Sequence, residues 1–191
     1  TYSFMSTVNN DGVHPVRWNP CEKDPIDIRL SGASLTSVYG DALAQATREV
    51  AGATGLNITL TGTTSFVPQQ TSFQDPTYSD GEITVFVGSR TSSTMWNGAS
   101  AGTVGLGGFA YGSGTATIAV GFVVIDQAAS TGMSAGHKKE MFMHELAHVV
   151  NLGHVNDSHQ VMYPSLLGLT SWGDGDLKGL AAVGAGAGCT K

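Results

Sequence analysis

Three histidines and a glutamate within eleven residues constrain the fold of this 191-residue chain more than any other feature. Residues 144–154 read H-E-L-A-H-V-V-N-L-G-H, so His144 and His148 are four residues apart and His154 follows six residues later. Residues four apart on an α-helix project from the same face, and the spacing therefore predicts a helix with both imidazoles on one side. Glu145 lies beside them. Apolar residues recur at helical spacing on the opposite side, which predicts that this side is buried.

A straight helix cannot bring His154 to the other two imidazoles, so the chain is expected to reverse after Val150. Asn151 stands where the reversal is required, and asparagine is the commonest non-glycine residue to adopt the left-handed conformation that ends helices. The alternative is a helix whose histidines are merely solvated or packed in the core. Composition disfavours it, because the three-histidine pattern arises by chance in about one in several thousand such chains.

Three neutral imidazoles suit zinc and leave its fourth position for a water. Zinc lowers the pKa of such a water to about 7. Glu145 is then placed to take the proton of the water as it attacks a carbonyl and to deliver that proton to a departing amine. The segment therefore predicts one catalytic Zn²⁺ and the hydrolysis of peptide bonds.

Composition excludes several other classes of protein. Apolar residues make up 41% and charged residues 13% of the chain, which rules out a solvated disordered tail and a coiled coil. The net charge of −6 argues against a nucleic-acid or anionic-membrane surface. No apolar run reaches the length of a transmembrane helix. The chain starts at Thr1 without a basic-then-apolar leader, so we expect that a signal peptide has been removed.

Hydrophobic periodicity predicts one domain with a mixed sheet, of α/β class. A helical pattern from Ser37 to Ala53, with Gly55 as its stop, lies between two strands and indicates a right-handed crossover with parallel pairing. Residues 61–80 are predicted to be a long surface loop. The predicted strands are Ile26–Leu30, Leu56–Leu60, Ile83–Val87, a glycine-rich edge strand at Val104–Tyr111, and Thr117–Ile125.

Cys21 and Cys189 are the two cysteines, and they lie near opposite ends of the chain. A lone separated pair predicts a disulfide, which implies an oxidising, extracellular setting. Two unrelated buried thiols are the alternative. The paucity of lysine and the abundance of serine, threonine and glycine favour the disulfide and secretion.

The histidine segment resembles the zinc signature of the metzincin metalloproteases, with Asn151 where that family usually has glycine. Met162, eight residues after His154 and followed by Tyr163-Pro164, resembles the family's Met-turn. The Tyr-Pro sequence is most similar to the matrixin branch, and within it to small secreted bacterial matrixin-like proteases. Two further segments are similar to that branch, namely Arg17–Cys21 and Trp172–Leu180.

The resemblance implies a zincin-like fold of α+β type. Its sheet would be twisted, mixed and five-stranded, with an antiparallel edge strand, and would be accompanied by a long zinc-binding helix and a C-terminal helix. Residues 1–191 would form a single catalytic domain. Its parts would be an N-terminal arm at 1–20, the zinc helix at 134–151, the Met-turn region at 158–167 and the C-terminal helix at 174–186.

The resemblance also implies a role for each matching residue. His144, His148 and His154 would hold the zinc ion, with Glu145 as the general base. Met162 would lie beneath the site, Asp176 would brace the Met-turn, and Pro164 would form the outer wall of a substrate pocket. An extended substrate would pair with the edge strand, at Gly107, Gly108, Phe109 and Ala110.

The second, structural zinc site of the family is not expected, whereas calcium binding stays open. No histidine occurs between Gly81 and Gly136, where matrixins keep a structural zinc ion. Calcium loops are not recognisable, and the acids Asp75, Asp80 and Glu82 are better interpreted as a solvated loop.

The sequence thus predicts a secreted, monomeric, zinc-dependent endopeptidase acting on protein or peptide substrates, with no nucleic-acid or membrane partner. Two alternatives stay open at this point. One is a zinc-bearing binding module without catalysis, and the other is an exopeptidase or amidase that uses the same zinc chemistry.

Overall fold

The computed structural model describes residues 1–71, 80–112 and 115–190. Over these ranges the chain forms a single α/β domain with a five-stranded mixed sheet and four α-helices. The strands are β1 (Ser3–Phe4), β2 (Ile26–Ser31), β3 (Ile58–Thr63), β4 (Glu82–Gly88), β5 (Gly105–Tyr111), β6 (Ile118–Asp126) and β7 (Leu152–Gly153). The helices are α1 (Val38–Thr54), α2 (Gln127–Ser130), α3 (Ala135–Val149) and α4 (Asp174–Val183).

The large sheet has the strand order β3-β2-β4-β6-β5. The first four strands in that order are parallel, whereas β5 runs antiparallel to β6 and lies at the edge. The predicted mixed sheet is therefore confirmed. The alternation of Ile26, Ile28 and Leu30 places these three side chains in the core, while the central strand β4 is buried along most of its length.

Helix α1 begins and ends where the sequence predicts. The Ser37 hydroxyl accepts a hydrogen bond from the backbone N–H of Gly40 at 3.2 Å, which caps the first turn. Gly55 ends the helix with a φ of +68°, a left-handed conformation that costs glycine nothing. The buried side of α1, which includes Leu43, Ala46 and Val50, packs in the main core with residues of the sheet and of α3.

Helix α4 is shorter than the predicted 174–186. It ends at Val183 because Gly184 has an extended backbone, with φ −85° and ψ −171°. A Cβ at Gly184 would lie 2.1 Å from the carbonyl oxygen of Thr54, so the chain leaves the helix to pass against the end of α1. Residues Ala185–Ala187 then form one 3-10 turn. The helix predicted at 134–151 corresponds to α3 together with its capping residue Ser134 and the reversal that follows it.

The predicted N-terminal arm contains a short strand. Strand β1 pairs antiparallel with β7, matching Ser3 with Gly153 and Phe4 with Leu152. A strand of two residues is too short to show a periodic pattern, so this pairing could not be predicted from the sequence. The arm therefore lies directly against the segment that follows α3.

The predicted disulfide between Cys21 and Cys189 is present. The Arg17 guanidinium makes a second tie in the same place, donating hydrogen bonds to the carbonyl oxygens of Gly188 at 2.8 Å and Cys189 at 3.3 Å. The beginning and the end of the chain are thus joined by one covalent bond and by backbone-directed hydrogen bonds.

The predicted surface loop at 61–80 begins later than expected, because β3 continues to Thr63. Asp75 lies outside the described residues, while Asp80 is exposed and Glu82 pairs with Arg29 at 3.7 Å. In the described part of the chain, no helix combines the length and the hydropathy that crossing a membrane requires.

Candidate metal centre

Three imidazoles meet beside α3. His144 and His148 project from this helix, and His154 follows β7. The Nε2 atom of His144 lies 3.0 Å from that of His154, and the Nε2 atom of His148 lies 3.1 Å from each of the other two. The structure thus brings together the three histidines that the sequence singled out, in an arrangement able to hold a metal ion.

Hydrogen bonds to backbone carbonyls orient two of these rings. The Nδ1 atom of His144 lies 2.7 Å from the carbonyl oxygen of Val161, and that of His148 lies 2.7 Å from the carbonyl oxygen of Leu152. A carbonyl oxygen only accepts hydrogen bonds, so each Nδ1 carries the proton and each Nε2 presents a lone pair. This partnering is typical of metal-bound histidine.

Burial keeps both rings neutral. It lowers the pKa of His144 to about 4 and the pKa of His148 to about 3, and it also lowers the pKa of His154. Unprotonated nitrogens about 3 Å apart repel one another unless they share a cation. Tetrahedral ligands about 2.0–2.1 Å from zinc are themselves separated by about 3.3 Å, so the donor set fits such an ion.

Asn151 makes the reversal that brings His154 to the other two histidines. Its φ is +82°, in the left-handed region, as the sequence predicts. Its buried side chain also holds the N-terminal arm, because Nδ2 donates to the carbonyl oxygens of Ser6 at 2.7 Å and Val16 at 2.6 Å, and Oδ1 accepts from the Ser6 N–H at 2.8 Å. This second role had no sequence signal.

Replacing Asn151 with glycine is expected to destabilise the fold by about 2 kcal/mol, although glycine is the better residue for a left-handed backbone. Glycine relieves less than about 1 kcal/mol of strain, whereas the loss of three hydrogen bonds costs about 1 kcal/mol each. Urea unfolding of the two proteins measures the difference. Equal or greater stability of the glycine variant would show that the side-chain hydrogen bonds contribute little.

Glu145 is 6% exposed and lines the same cleft as the three histidines. Two glycines of β5 make room for it, because a Cβ at Gly105 would lie 2.6 Å from its Oε1 atom and a Cβ at Gly107 would lie 2.2 Å from its carbonyl oxygen. Burial raises the pKa of Glu145 to about 8, while a hydrogen bond with the backbone of Gly107 acts in the opposite direction. The glycine-rich edge strand thus approaches the helix closely at this carboxyl group.

A buried carboxylate supports the turn that contains Val161, the residue whose carbonyl oxygen contacts His144. Asp176 in α4 accepts hydrogen bonds from the backbone N–H groups of Val161 at 2.7 Å, Met162 at 3.3 Å and Gly173 at 3.0 Å. Met162 itself is fully buried. Because the carbonyl of Val161 orients the ring of His144, Asp176 holds the backbone that positions this histidine.

The histidines lie in an open cleft with a cavity volume of about 870 Å³. Residues 103–107 and residues 164–166 are among those that line it. Gly107 and Pro164, two of the predicted substrate-binding residues, are therefore on it. The other three, Gly108, Phe109 and Ala110, lie farther along β5, where a Cβ at Gly108 would meet the ring of Phe122. The cleft borders an earlier stretch of the strand because Glu145 packs against Gly105 and Gly107.

Glu140 is a site residue that the sequence reasoning missed. It lies four residues before His144 on α3, is fully buried, and accepts hydrogen bonds from the backbone N–H groups of Leu167 at 3.0 Å and Gly168 at 2.6 Å. Those bonds hold the backbone that follows residues 164–166, which line the cleft. The signal that would have found it is its spacing, since i−4 from a ligand places a residue on the same face of the helix.

Comparison with protein-family models finds no match to this chain, and comparison with curated proteins finds none either. The functional interpretation of the site therefore depends on its geometry and its chemistry.

Proposed function

We propose that the chain is a secreted zinc-dependent endopeptidase of metzincin type, similar to the matrixin branch. The observation that carries the proposal is the convergence of three imidazole Nε2 atoms beside a buried carboxyl group in an open cleft. The three histidines would hold the ion. Zinc bound there would supply a Lewis acid that polarises the substrate carbonyl and lowers the pKa of a bound water.

The residues of the chain would transfer the proton and orient the histidine rings. The positive charge of a bound zinc ion would favour the ionised form of Glu145. The carboxylate would then accept a proton from the attacking water and donate it to the nitrogen of the departing amine, so that one peptide bond and one water become a carboxylic acid and an amine. The carbonyl oxygens of Val161 and Leu152 hold the rings of His144 and His148 in the tautomer that presents Nε2 to the ion.

The edge strand supports a polypeptide substrate. Strand β5 is the outermost strand beside the cleft, with β6 on its other side. The unpaired backbone groups of an edge strand bind an extended peptide by strand addition. Since β5 continues beyond Gly107 to Tyr111, a peptide has backbone partners outside the cleft as well. This favours cleavage within a chain over removal of a terminal residue.

The disulfide supports an extracellular location. Bonds of this kind persist in oxidising compartments and are rare in reducing ones. The Cys21–Cys189 bond joins the two ends of the domain. An oxidising compartment would preserve this bond, and we expect the enzyme to act there.

The test combines metal content with cleavage. The purified chain should contain one zinc ion per molecule and should cut a peptide blocked at both termini, an activity that a chelator abolishes and added Zn²⁺ restores. A His154→Ala variant should lose both metal and cleavage, whereas a His14→Ala control, on the exposed arm, should keep both.

Four results would contradict all or part of this proposal. Absence of stoichiometric metal, or cleavage that a chelator leaves intact, would refute it. Tight zinc binding without turnover would identify a binding module instead. Cleavage only of peptides with a free terminus would identify an exopeptidase.

A further inference from the structure

The N-terminal arm brings a large apolar side chain to the cleft. Met5 is 49% exposed, and it borders the same cavity as Gly153 and His154. No motif in the sequence points to it. When a ligand covers an apolar side chain that is half exposed to water, the free energy of the system falls.

The backbone on both sides of Met5 is anchored. Its own N–H donates to the carbonyl oxygen of Asn151 at 3.1 Å, and the preceding residue, Phe4, belongs to β1. The following residue, Ser6, is held by the Asn151 side chain and places its hydroxyl 2.8 Å from that of Tyr111 at the end of β5. Met5 is therefore presented by a preorganised segment that joins the end of α3 to the end of the edge strand.

The cleft that Met5 borders has other apolar lining residues. Met133, Met141 and Leu166 also line the cleft, and Glu145 is the only carboxylate among its described lining residues, which include no lysine or arginine. Uncharged and apolar side chains of a peptide therefore fit this cleft better than charged ones do. The methionine side chain, flexible and polarisable, adapts to apolar partners of different shape.

We propose that Met5 is a specificity-determining residue that contacts an apolar side chain of the bound peptide, on the His154 side of the cleft. This inference rests on the proposed function, because it assumes that a peptide occupies the cleft. The arm then forms a wall of the substrate site. Asn151 both makes the reversal that brings His154 to the metal centre and holds this wall by its hydrogen bonds to Ser6.

A mixed peptide library tests the proposal on the zinc-loaded wild type and on Met5→Ala, Met5→Lys and Val13→Lys. At one position of the cut sequence, Met5→Ala should lower the preference for leucine over serine about tenfold, the lower end of what an apolar contact is worth. Met5→Lys should favour acidic residues at that same position. Val13, exposed on the arm away from the cleft, is the matched control, and its lysine variant should keep the wild-type preference.

Binding without turnover gives a second measurement. With Glu145→Gln as background, a fluorescent peptide with leucine at that position should bind about tenfold more weakly when Met5 is alanine, whereas its serine analogue should bind both proteins equally. Unchanged preference and unchanged affinity in the Met5 variants would overturn this inference alone. A zinc-loaded wild type that neither cuts nor binds peptides would overturn the proposed function and this inference together.

Discussion

Replacing Glu145 with glutamine is expected to lower kcat/KM for peptide hydrolysis about 10³-fold, within the range for the loss of a general base. The amide cannot accept the proton of the attacking water. It has almost the same size as the carboxyl group, so it still fits against Gly105, where a Cβ would lie 2.6 Å from Oε1. Zinc content and the unfolding curve should therefore equal those of the wild type.

The matched control is Glu82→Gln. Glu82 starts β4 and pairs with the partly exposed Arg29 at 3.7 Å, a pair whose loss costs less than about 1 kcal/mol. This variant should retain full activity, which separates the loss of one carboxylate in the cleft from a general effect of charge. Hydrolysis by Glu145→Gln within tenfold of the wild type would mean that another group takes the proton.

Removing the disulfide, in a Cys21→Ser, Cys189→Ser double variant, is expected to destabilise the fold by about 4 kcal/mol. The bond joins residues 168 apart in sequence, and closing so long a loop removes much of the conformational entropy of the unfolded chain. Urea unfolding of the variant against the oxidised wild type measures the difference. Cleavage activity in the absence of urea should persist, because neither cysteine lines the cleft.

Unfolding of the wild type in the presence of a reductant is the control for the two serines, and it should reproduce the same loss. The hydrogen bonds from Arg17 to Gly188 and Cys189 remain in both cases, so the native ends stay together. A difference below about 1 kcal/mol would show that the unfolded chain is already restricted without the bond.

The elements of the fold that the sequence predicted are those with local patterns. Helix α1 has a serine cap, an apolar stripe and a left-handed Gly55, all readable within twenty residues. Strands β2, β4 and β6 follow from short apolar or alternating runs. The disulfide followed from counting, since two cysteines allow one intramolecular pair.

The parts that the sequence did not predict depend on contacts between distant residues. Asn151 is 145 residues from Ser6. The residues next to Asn151 in the sequence therefore do not indicate that its side-chain amide binds the N-terminal arm. The pairing of β1 with β7 spans a similar distance with two residues on each side. The early end of α4 arises from the close approach of Gly184 to Thr54.

The sequence by itself determined the helix that carries two histidines, the reversal that returns the third, and the neighbouring carboxylate, because helical spacing and a left-handed asparagine are local properties of the chain. Only the tertiary structure decided which stretch of β5 borders the cleft, that Glu140 holds the chain after residues 164–166, and that Met5 borders the same cavity as His154. These placements result from the packing of segments that are more than a hundred residues apart in one case and about thirty to forty in the others. Burial and backbone hydrogen bonding select such contacts, and neither produces a periodic pattern in the sequence.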